Sequence, residues 1–579
     1  MNQQLILSVV ISFLTLCCND VNSQNPGLEK FGDITSISQP NQQSWQQMKN
    51  NFSFSPVDIN TPTNYNRSPV INDKKQITTE GWAGETVNVK FVVSSKTDIN
   101  SLKVTASNLV SSNGAASIDA KNISVGYIYY VLADNSAGVC KKKEGVTYKT
   151  LIVPDIIDFT SAASFVKSNT NRPVWISIKI PFNATAGNYT TRITANAENN
   201  ISSSVNILLT INKNRLPANA NKNFFLNLWQ YPIAEAEYYN VKPWSEEHFN
   251  LMKPAMTRLK DAGQKVITTS FFWDLYNAKL RSADDMMIKV VKTTDGKWKY
   301  DFTNFDKWVE FMMGIGINQQ IECFGIAPLN ARSYYLDEKD NKIKFFSESV
   351  NGKMYVPFWQ SYLLAFEQHL KEKNWFNITT LGIDEKKHDV LAGLIQFIKG
   401  INKDWKISFT GQYFPDLQNN IYDYSLNSNQ QIPASSLAAR KNKGFITTYY
   451  TACWEVFPNV FTISSHADAT WLAWNAAYRN LDGYLRWAYD YFNKKILIDT
   501  RAGLASGDNI LIYPHDYSSI RFEMLKDGIE DFLKIQIKQK QRNFSSQFNS
   551  TLSQFDFKKV SVLKNRNLQI NNARQLLNK

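Results

Sequence analysis

Two adjacent carboxyls, Asp384 and Glu385, follow the run Thr379-Thr380-Leu381-Gly382-Ile383. That run is short and mostly apolar, which predicts a strand over 379–385 whose last two residues leave the sheet together. Side chains alternate along a strand, but where the chain turns at its end two neighbouring carboxyls can diverge and still border one pocket. Paired carboxyls are the usual groups of general acid and base catalysis. In ordinary retaining glycoside hydrolysis the acid and the nucleophile face each other across the bond from different strands. Neighbouring carboxyls suit a different scheme, in which a sugar's own 2-acetamido oxygen attacks the anomeric carbon. One carboxylate then steadies the acetamide N–H as positive charge develops. The other protonates the leaving oxygen and later activates water.

Other apolar runs also end in polar or aromatic groups. These are Asn227 and Trp229, Trp273 and Asp274, Glu322, Gln412 and Tyr413, Tyr449 and Tyr450, and Trp487 and Tyr489. Aromatic residues make up 13% of the chain, with 15 Trp and 26 Tyr. Their rings can stack on the C–H face of a sugar or fill a barrel core. The expected substrate-binding set is Asn227, Trp229, Tyr413, Tyr450, Glu455, Trp487 and Tyr489. Trp487 and Tyr489 would wall a sugar or pack the core. Tyr450 would offer its hydroxyl to an acetamide oxygen, and Glu455 would take sugar hydroxyls or pair with an arginine. Arg521 and Glu523 read as structural ion-pair partners. The five His residues show no metal-ligand spacing, so neither a catalytic metal nor a cofactor is expected.

The elements that must position these groups follow from periodicity. Residues 24–78 are rich in Asn, Ser, Gln and Pro and read as a loop-rich leader. From residue 79 to 216 the period is two, with strand-like runs at 87–93, 101–105, 174–180, 189–194 and 204–210 separated by turn residues. That pattern predicts an antiparallel β-sandwich. From 217 to 545 strands alternate with helices. Strands are expected at 224–229, 264–270, 320–324, 379–385, 405–410, 444–450 and 483–489, and helices near 246–262, 304–313 and 358–372. Such alternation over this length predicts a parallel (β/α)8 TIM-like barrel, whose functional groups sit at the C-terminal ends of strands. Residues 546–579 read as a helical extension.

Residues 5–18 form an apolar run of signal-peptide length, too short to span a bilayer, and cleavage before Gln24 would leave Val21 and Ser23 at the small-residue positions. A signal peptide over 1–23 predicts an exported protein: periplasmic, extracellular, or an outer-membrane lipoprotein anchored at Cys17 or Cys18. No later segment is long and apolar enough to span a membrane. Cys140, Cys323 and Cys453 have no metal spacing and could form at most one disulfide, with buried free thiols the simpler expectation. The formal charge of +13 is spread along the chain in runs as short as Lys141-Lys142-Lys143, which argues against a nucleic-acid partner. The expected partner is a glycan.

Several longer strings then converge. Residues 227–232 (NLWQYP), 262–268 (AGQKVIT), 305–312 (FDKWVEFM), 383–385 (IDE), 448–451 (TYYT) and 482–489 (DGYLRWAY) resemble glycoside hydrolase family 123. So do 518–523 (SSIRFE), 527–531 (DGIED) and, at the N-terminal side, 81–88 (GWAGETVN). The likeness spans roughly residues 80–535. It implies a retaining β-N-acetylgalactosaminidase with a β-sandwich beside a catalytic barrel, Asp384 holding the acetamide and Glu385 serving as acid and base. Departures lie at 271–277 (FFWDLYN), at Lys386-Lys387-His388 and at 503–508 (GLASGD), near the expected rim. They leave open a glycosidase for another N-acetylated or sulfated hexosaminide. A non-catalytic glycan-binding surface protein is the third reading, and the intact carboxyl pair counts against it.

Overall fold

The computed structural model describes residues 27–198, 201–218, 223–276, 280–328, 332–540, 546–560 and 565–578. The expected signal peptide over 1–23 and the anchor cysteines Cys17 and Cys18 lie outside them. The N-terminal part is a two-sheet sandwich. One sheet runs, in order, Phe52–Val57, Thr86–Ser95, Thr170–Lys179, Ile123–Asp134 and Thr150–Asp158. The other is built around Gln76–Ala83, Ser202–Arg215, Gly187–Asn196 and Ile99–Ala106. Alternation sets which face is buried: Val205, Ile207, Leu209 and Ile211 point inward from one strand, and Tyr189, Ile193 and Ala195 from its partner. The pairing is antiparallel except between Gln76–Ala83 and Ser202–Arg215, which run parallel. The stretch read as a loop-rich leader therefore contributes a whole edge strand, Phe52–Val57, and the start of another.

The second part is an eight-stranded parallel barrel. Its strands are β1 (Phe225–Leu228), β2 (Val266–Ser270), β3 (Gln320–Phe324), β4 (Thr379–Asp384), β5 (Lys406–Gly411), β6 (Asp423–Asn427), β7 (Ile446–Tyr450) and β8 (Gly483–Arg486). From β2 to β8 each pairs with the next, and β8 pairs with β1. The remaining seam is closed by the Lys265 amide donating to the Leu226 carbonyl at 3.0 Å and by Gln264, whose side chain bridges to Leu228. The β8–β1 seam needs Gly483, because a Cβ there would lie 2.0 Å from the Phe225 carbonyl oxygen. Seven of the eight strands coincide with runs expected from the sequence. The addition is β6, which follows β5 with only a single 3-10 turn between them. Two antiparallel hairpins, at 289–301 and 332–347, are inserted after β2 and β3 and pair into a small sheet of their own.

Four helices matter for the argument: α1 (Glu246–Asp261), α2 (His388–Ile401), α3 (His466–Tyr478) and α4 (Ile520–Gln539). The last two are buried along most of their length and join the barrel to the sandwich. The joint is specific as well as apolar. Arg521 on α4 pairs with Asp155 of the sandwich at 2.8 Å, both almost fully buried, and Tyr513 donates to the same carboxylate. Lys534 pairs with Glu85 at 2.5 Å, and Ser518–Ser519 adds a short strand to the first sandwich sheet. Arg521 and Glu523, expected as structural ion-pair partners, are both in ion pairs but not with each other: Glu523 takes Lys526 at 2.6 Å. The C-terminal helices pack on α3 and α4, with Arg574 on Asp531 and Arg566 on Asp468. Cys140 and Cys453 form a disulfide across 313 residues, while Cys323 is a buried free thiol. Of the two readings left open, at most one disulfide and the simpler one of free thiols, the structure has the first: two distant loops meet at the domain joint, which sequence spacing does not reveal. Among the described residues no helix is long and apolar enough to cross a membrane.

Candidate active site

Asp384 is the last residue of β4, in register with Thr410 of β5. Glu385 follows with φ of 46°, left-handed backbone that costs a non-glycine residue about 1 kcal/mol or more. Its amide still donates to the Thr410 carbonyl at 2.9 Å, so the turn is anchored to β5. This turn separates the two carboxyls as the strand-end argument required. The space beside β4 is set by Gly382, where a Cβ would meet the Phe324 ring at 2.6 Å.

The two carboxyls have different surroundings. Asp384 Oδ1 accepts from the Thr410 hydroxyl and Oδ2 from the Tyr276 hydroxyl. Part of its surface is open, yet it lies deep among protein atoms. Burial is the main cause that raises its pKa to about 7, the Thr410 bond opposes, and the neighbouring Glu385 charge adds to the rise. Glu385 is exposed, and its Oε1 accepts from the Tyr450 hydroxyl at 2.7 Å. Tyr450 has its phenol pKa pushed far up, by burial first and then by Glu385, so it stays a donor. Asn427 at the end of β6 reaches the same hydroxyl at 3.5 Å. Lys386 follows the pair half-buried, with its pKa lowered by burial. His388 begins α2 and lies between Asp389 and Asp416 at 2.9 and 2.8 Å.

An aromatic wall stands beside Asp384. Trp229, just after β1, packs 4.7 Å from the Phe324 ring and 6.2 Å from Tyr276. Trp487, just after β8, meets Tyr276 edge-on at 5.9 Å and is partly exposed. Tyr231 donates to the Trp487 carbonyl at 2.8 Å and ties the β1 and β8 loops together. Beneath them Glu235 and Asp490 form a buried carboxyl pair, both shifted upward by burial, and Asp490 accepts the Tyr231 amide at 2.8 Å. Asp274 caps the short helix Pro232–Tyr239 through the amides of Ile233 and Ala234, which fixes the start of the loop that carries Tyr276.

Of the residues expected to bind substrate, the fold brings Trp229, Tyr450 and Trp487 to the carboxyl pair. It corrects two others. Asn227 is buried inside the barrel and donates to Glu322 at 3.0 Å, because it sits before the last residue of β1. Tyr489 lies behind the barrel, its hydroxyl on the Ala255 carbonyl of α1 at 2.9 Å, since the chain turns away after Trp487. Glu455 lies at the rim with both oxygens engaged by Ser428 and the Ala452 amide. Tyr413 follows β5, its ring 6.0 Å from Tyr424 and its hydroxyl enclosed without a protein partner among the described residues. Sequence reasoning passed over Thr410 and Tyr276. Thr410 was findable by register, as the neighbour of Asp384 on the next strand; Tyr276 lies in a loop and carried no such signal.

Two cavities of about 620 and 680 Å3 lie away from this site, along the sandwich and its joint with α4. The carboxyl pair, with the raised pKa of Asp384 and its convergent hydroxyls, is the stronger site on chemistry. Among the described residues no group of three or more His, Cys, Asp or Glu side chains is arranged to hold a metal ion.

The sequence matches the glycoside hydrolase 123 catalytic domain over residues 229–538 and the glycoside hydrolase 123 N-terminal domain over 59–197. No curated protein sequence gives a match. Among solved structures, a family 123 glycoside hydrolase from Clostridium perfringens superposes with a TM-score of 0.78 at 24% identity, covering 91% of this chain and 99% of that one. Its structural analysis concerns glycolipid glycan hydrolysis. A family 5 xyloglucanase from Bacteroides ovatus covers 83% of this chain and 100% of its own at 8% identity, with a TM-score of 0.27 that is too low to carry an argument.

Proposed function

Since the chain belongs to glycoside hydrolase family 123 and is a glycosidase, we propose that it removes terminal β-linked N-acetylgalactosamine with retention, using the sugar's acetamide as nucleophile. The glycan of a glycolipid is its proposed substrate, on the analogy of the Clostridium perfringens enzyme. The observation that supports this most is the division of labour between neighbours. Asp384 is held from two sides by hydroxyls that orient it and favour its charge. It can accept the acetamide N–H and offset the developing oxazolinium. Glu385 is open to solvent beside one phenol, as a group must be that first protonates a leaving oxygen and then activates water. Tyr276 and Trp487, both partly exposed, would wall the sugar ring, with the buried Trp229 packed behind Tyr276.

No second protein carboxylate needs to reach the anomeric carbon in this scheme. The acetamide oxygen bonds to C1 as the glycosidic C1–O bond breaks and the leaving oxygen takes the Glu385 proton. Water then opens the oxazolinium while Glu385 recovers a proton. Export is proposed with it, and the Cys140–Cys453 disulfide supports that reading, since such bonds persist in oxidising compartments. The test compares chromogenic β-N-acetylgalactosaminide, β-N-acetylglucosaminide and β-galactoside, with a thiazoline analogue as inhibitor. Cleavage of the N-acetylgalactosaminide, with the β-anomer as first product and inhibition by the thiazoline, is expected. Efficient cleavage of the plain galactoside without thiazoline inhibition would mean that a protein carboxylate is the nucleophile.

A further inference from the structure

Trp454, Val456 and Phe457 are 44%, 49% and 39% exposed, three large apolar side chains in four residues. They lie on the loop after β7, the strand that delivers Tyr450. Between them Glu455 turns inward to Ser428 and the Ala452 amide, so its neighbours are turned outward. A short chain of contacts connects this loop to the catalytic pair, from Glu385 to Tyr450, to Asn427 of β6 and to the adjoining Ser428. The exposed residues therefore border the mouth of the barrel.

A second loop, 135–149, comes from the sandwich and is clamped to the first. Cys140 is bonded to Cys453, and Val456 packs so closely on Gly138 that a Cβ there would meet its methyl at 2.9 Å. The Lys142 amide donates to the Gly503 carbonyl at 3.0 Å, and Arg501 reaches the Thr150 hydroxyl at 2.7 Å. This second loop carries exposed Lys141, Lys143 and Lys149, none of which has an ion pair among the described residues, and Val146, 49% exposed. Lys142 is neutralised by Asp134. The surface thus combines an apolar tip with unpaired positive charge on a clamped support.

Apolar side chains of this size grouped on a surface mark a partner site. Aromatic and aliphatic insertion together with lysines is the pair of signals that holds a protein at an anionic membrane surface, where either alone is weak. We propose that the two clamped loops dock on an anionic lipid bilayer, with Trp454, Val456, Phe457 and Val146 entering the headgroup boundary and Lys141, Lys143 and Lys149 meeting acidic headgroups. This rests on the lipid-linked substrate proposed above: docking would bring the barrel mouth to glycans that stand on the bilayer.

The test is sedimentation of the purified protein with phosphatidylcholine vesicles, with and without phosphatidylglycerol, beside hydrolysis of a soluble aryl N-acetylgalactosaminide and of a vesicle-borne glycolipid. Binding to the phosphatidylglycerol vesicles, weakened by salt, is expected. Trp454→Ser with Phe457→Ser, and separately Lys141→Ser with Lys143→Ser, should each lower the partition coefficient by about tenfold or more. Both variants should keep the soluble rate, which shows that they fold, and lose rate on the vesicle-borne substrate. Absence of vesicle binding, or equal binding by the variants, overturns the proposal. So does a loss confined to soluble substrates with bulky aglycones, which would make the loop part of the glycan site. Failure of the wild type on the soluble aryl glycoside would instead count against the proposed function.

Discussion

Replacing Asp384 by Asn changes one atom at the point where the charge balance of the site is set, and it should act on rate and stability in opposite directions. The amide can still accept an acetamide N–H, but it carries no charge to offset the oxazolinium. Loss of a preorganised stabiliser of this kind costs about 3–4 kcal/mol, so kcat should fall about 10²–10³-fold. In the free enzyme the Asp384 pKa is raised to about 7, chiefly by burial. Wild-type kcat/KM should therefore rise with pH through about 7, and that limb should be absent in the variant. The folded protein holds the Asp384 proton up to about pH 7, whereas the unfolded chain releases it near its ordinary value of 3.8. The unfolded state therefore binds fewer protons across that window, and wild-type stability drops as pH rises from about 4 to about 7. Fully expressed, that difference is worth about 4 kcal/mol, and solvent access at the mouth reduces it to about 1–2 kcal/mol. Asp384→Asn should consequently melt roughly 2–3 °C above wild type at pH 8. The gap should close below about pH 4. Thermal melts and initial rates across the range measure both. A variant with wild-type kcat, or a stability gap that does not change with pH, would refute the assignment of Asp384 as the buried charge of the site.

Glu385→Gln should abolish cleavage of alkyl glycosides while an aryl substrate with a good leaving group keeps more of its glycosylation rate, since only the former needs a proton; equal wild-type rates on both would remove Glu385 from the acid role. Tyr450→Phe deletes the hydroxyl that holds Glu385 Oε1 at 2.7 Å. It should lower kcat about tenfold with KM little changed, and a loss seen only in KM would place the phenol on the substrate instead. Arg521→Met strands the buried Asp155 carboxylate at the domain joint. It should cost about 3–5 kcal/mol in denaturant unfolding without altering KM.

Much of the fold was legible because its elements repeat simple periods. The strands at 189–194 and 204–210 alternate buried and open residues and lie inside the observed Gly187–Asn196 and Ser202–Arg215. The barrel strands read as apolar runs because both of their faces are covered. β6 broke that rule: Asp423-Tyr424-Ser425-Leu426-Asn427 is polar, because this barrel keeps a polar layer inside, where Gln320 donates to Asp423 at 3.0 Å. With no helix before it, β6 lacked the alternation that marked its neighbours. The disulfide was hidden for a related reason, since 313 residues separate its cysteines and only the docking of sandwich on barrel brings them together.

The candidate site was legible where a strand end gives direction and obscure where a residue's depth along the strand decides its role. Asn227 and Trp229 differ by two positions, yet the first faces Glu322 in the interior and the second packs against Phe324 at the mouth. Asp384 and Glu385 differ by one, and the left-handed turn at Glu385 sends them to different partners. Asp384 takes Thr410 from the adjacent strand and Tyr276 from the β2 loop; Glu385 takes Tyr450 from β7, three strands away around the barrel. Two like groups placed side by side would otherwise share one environment, and even here the Glu385 charge adds to the raised pKa of Asp384. Here the turn separates them, so one carboxyl is enclosed among fixed hydroxyls while the other stays in contact with water. That asymmetry lets neighbours of the same chemical type serve as charge stabiliser and proton carrier in one reaction.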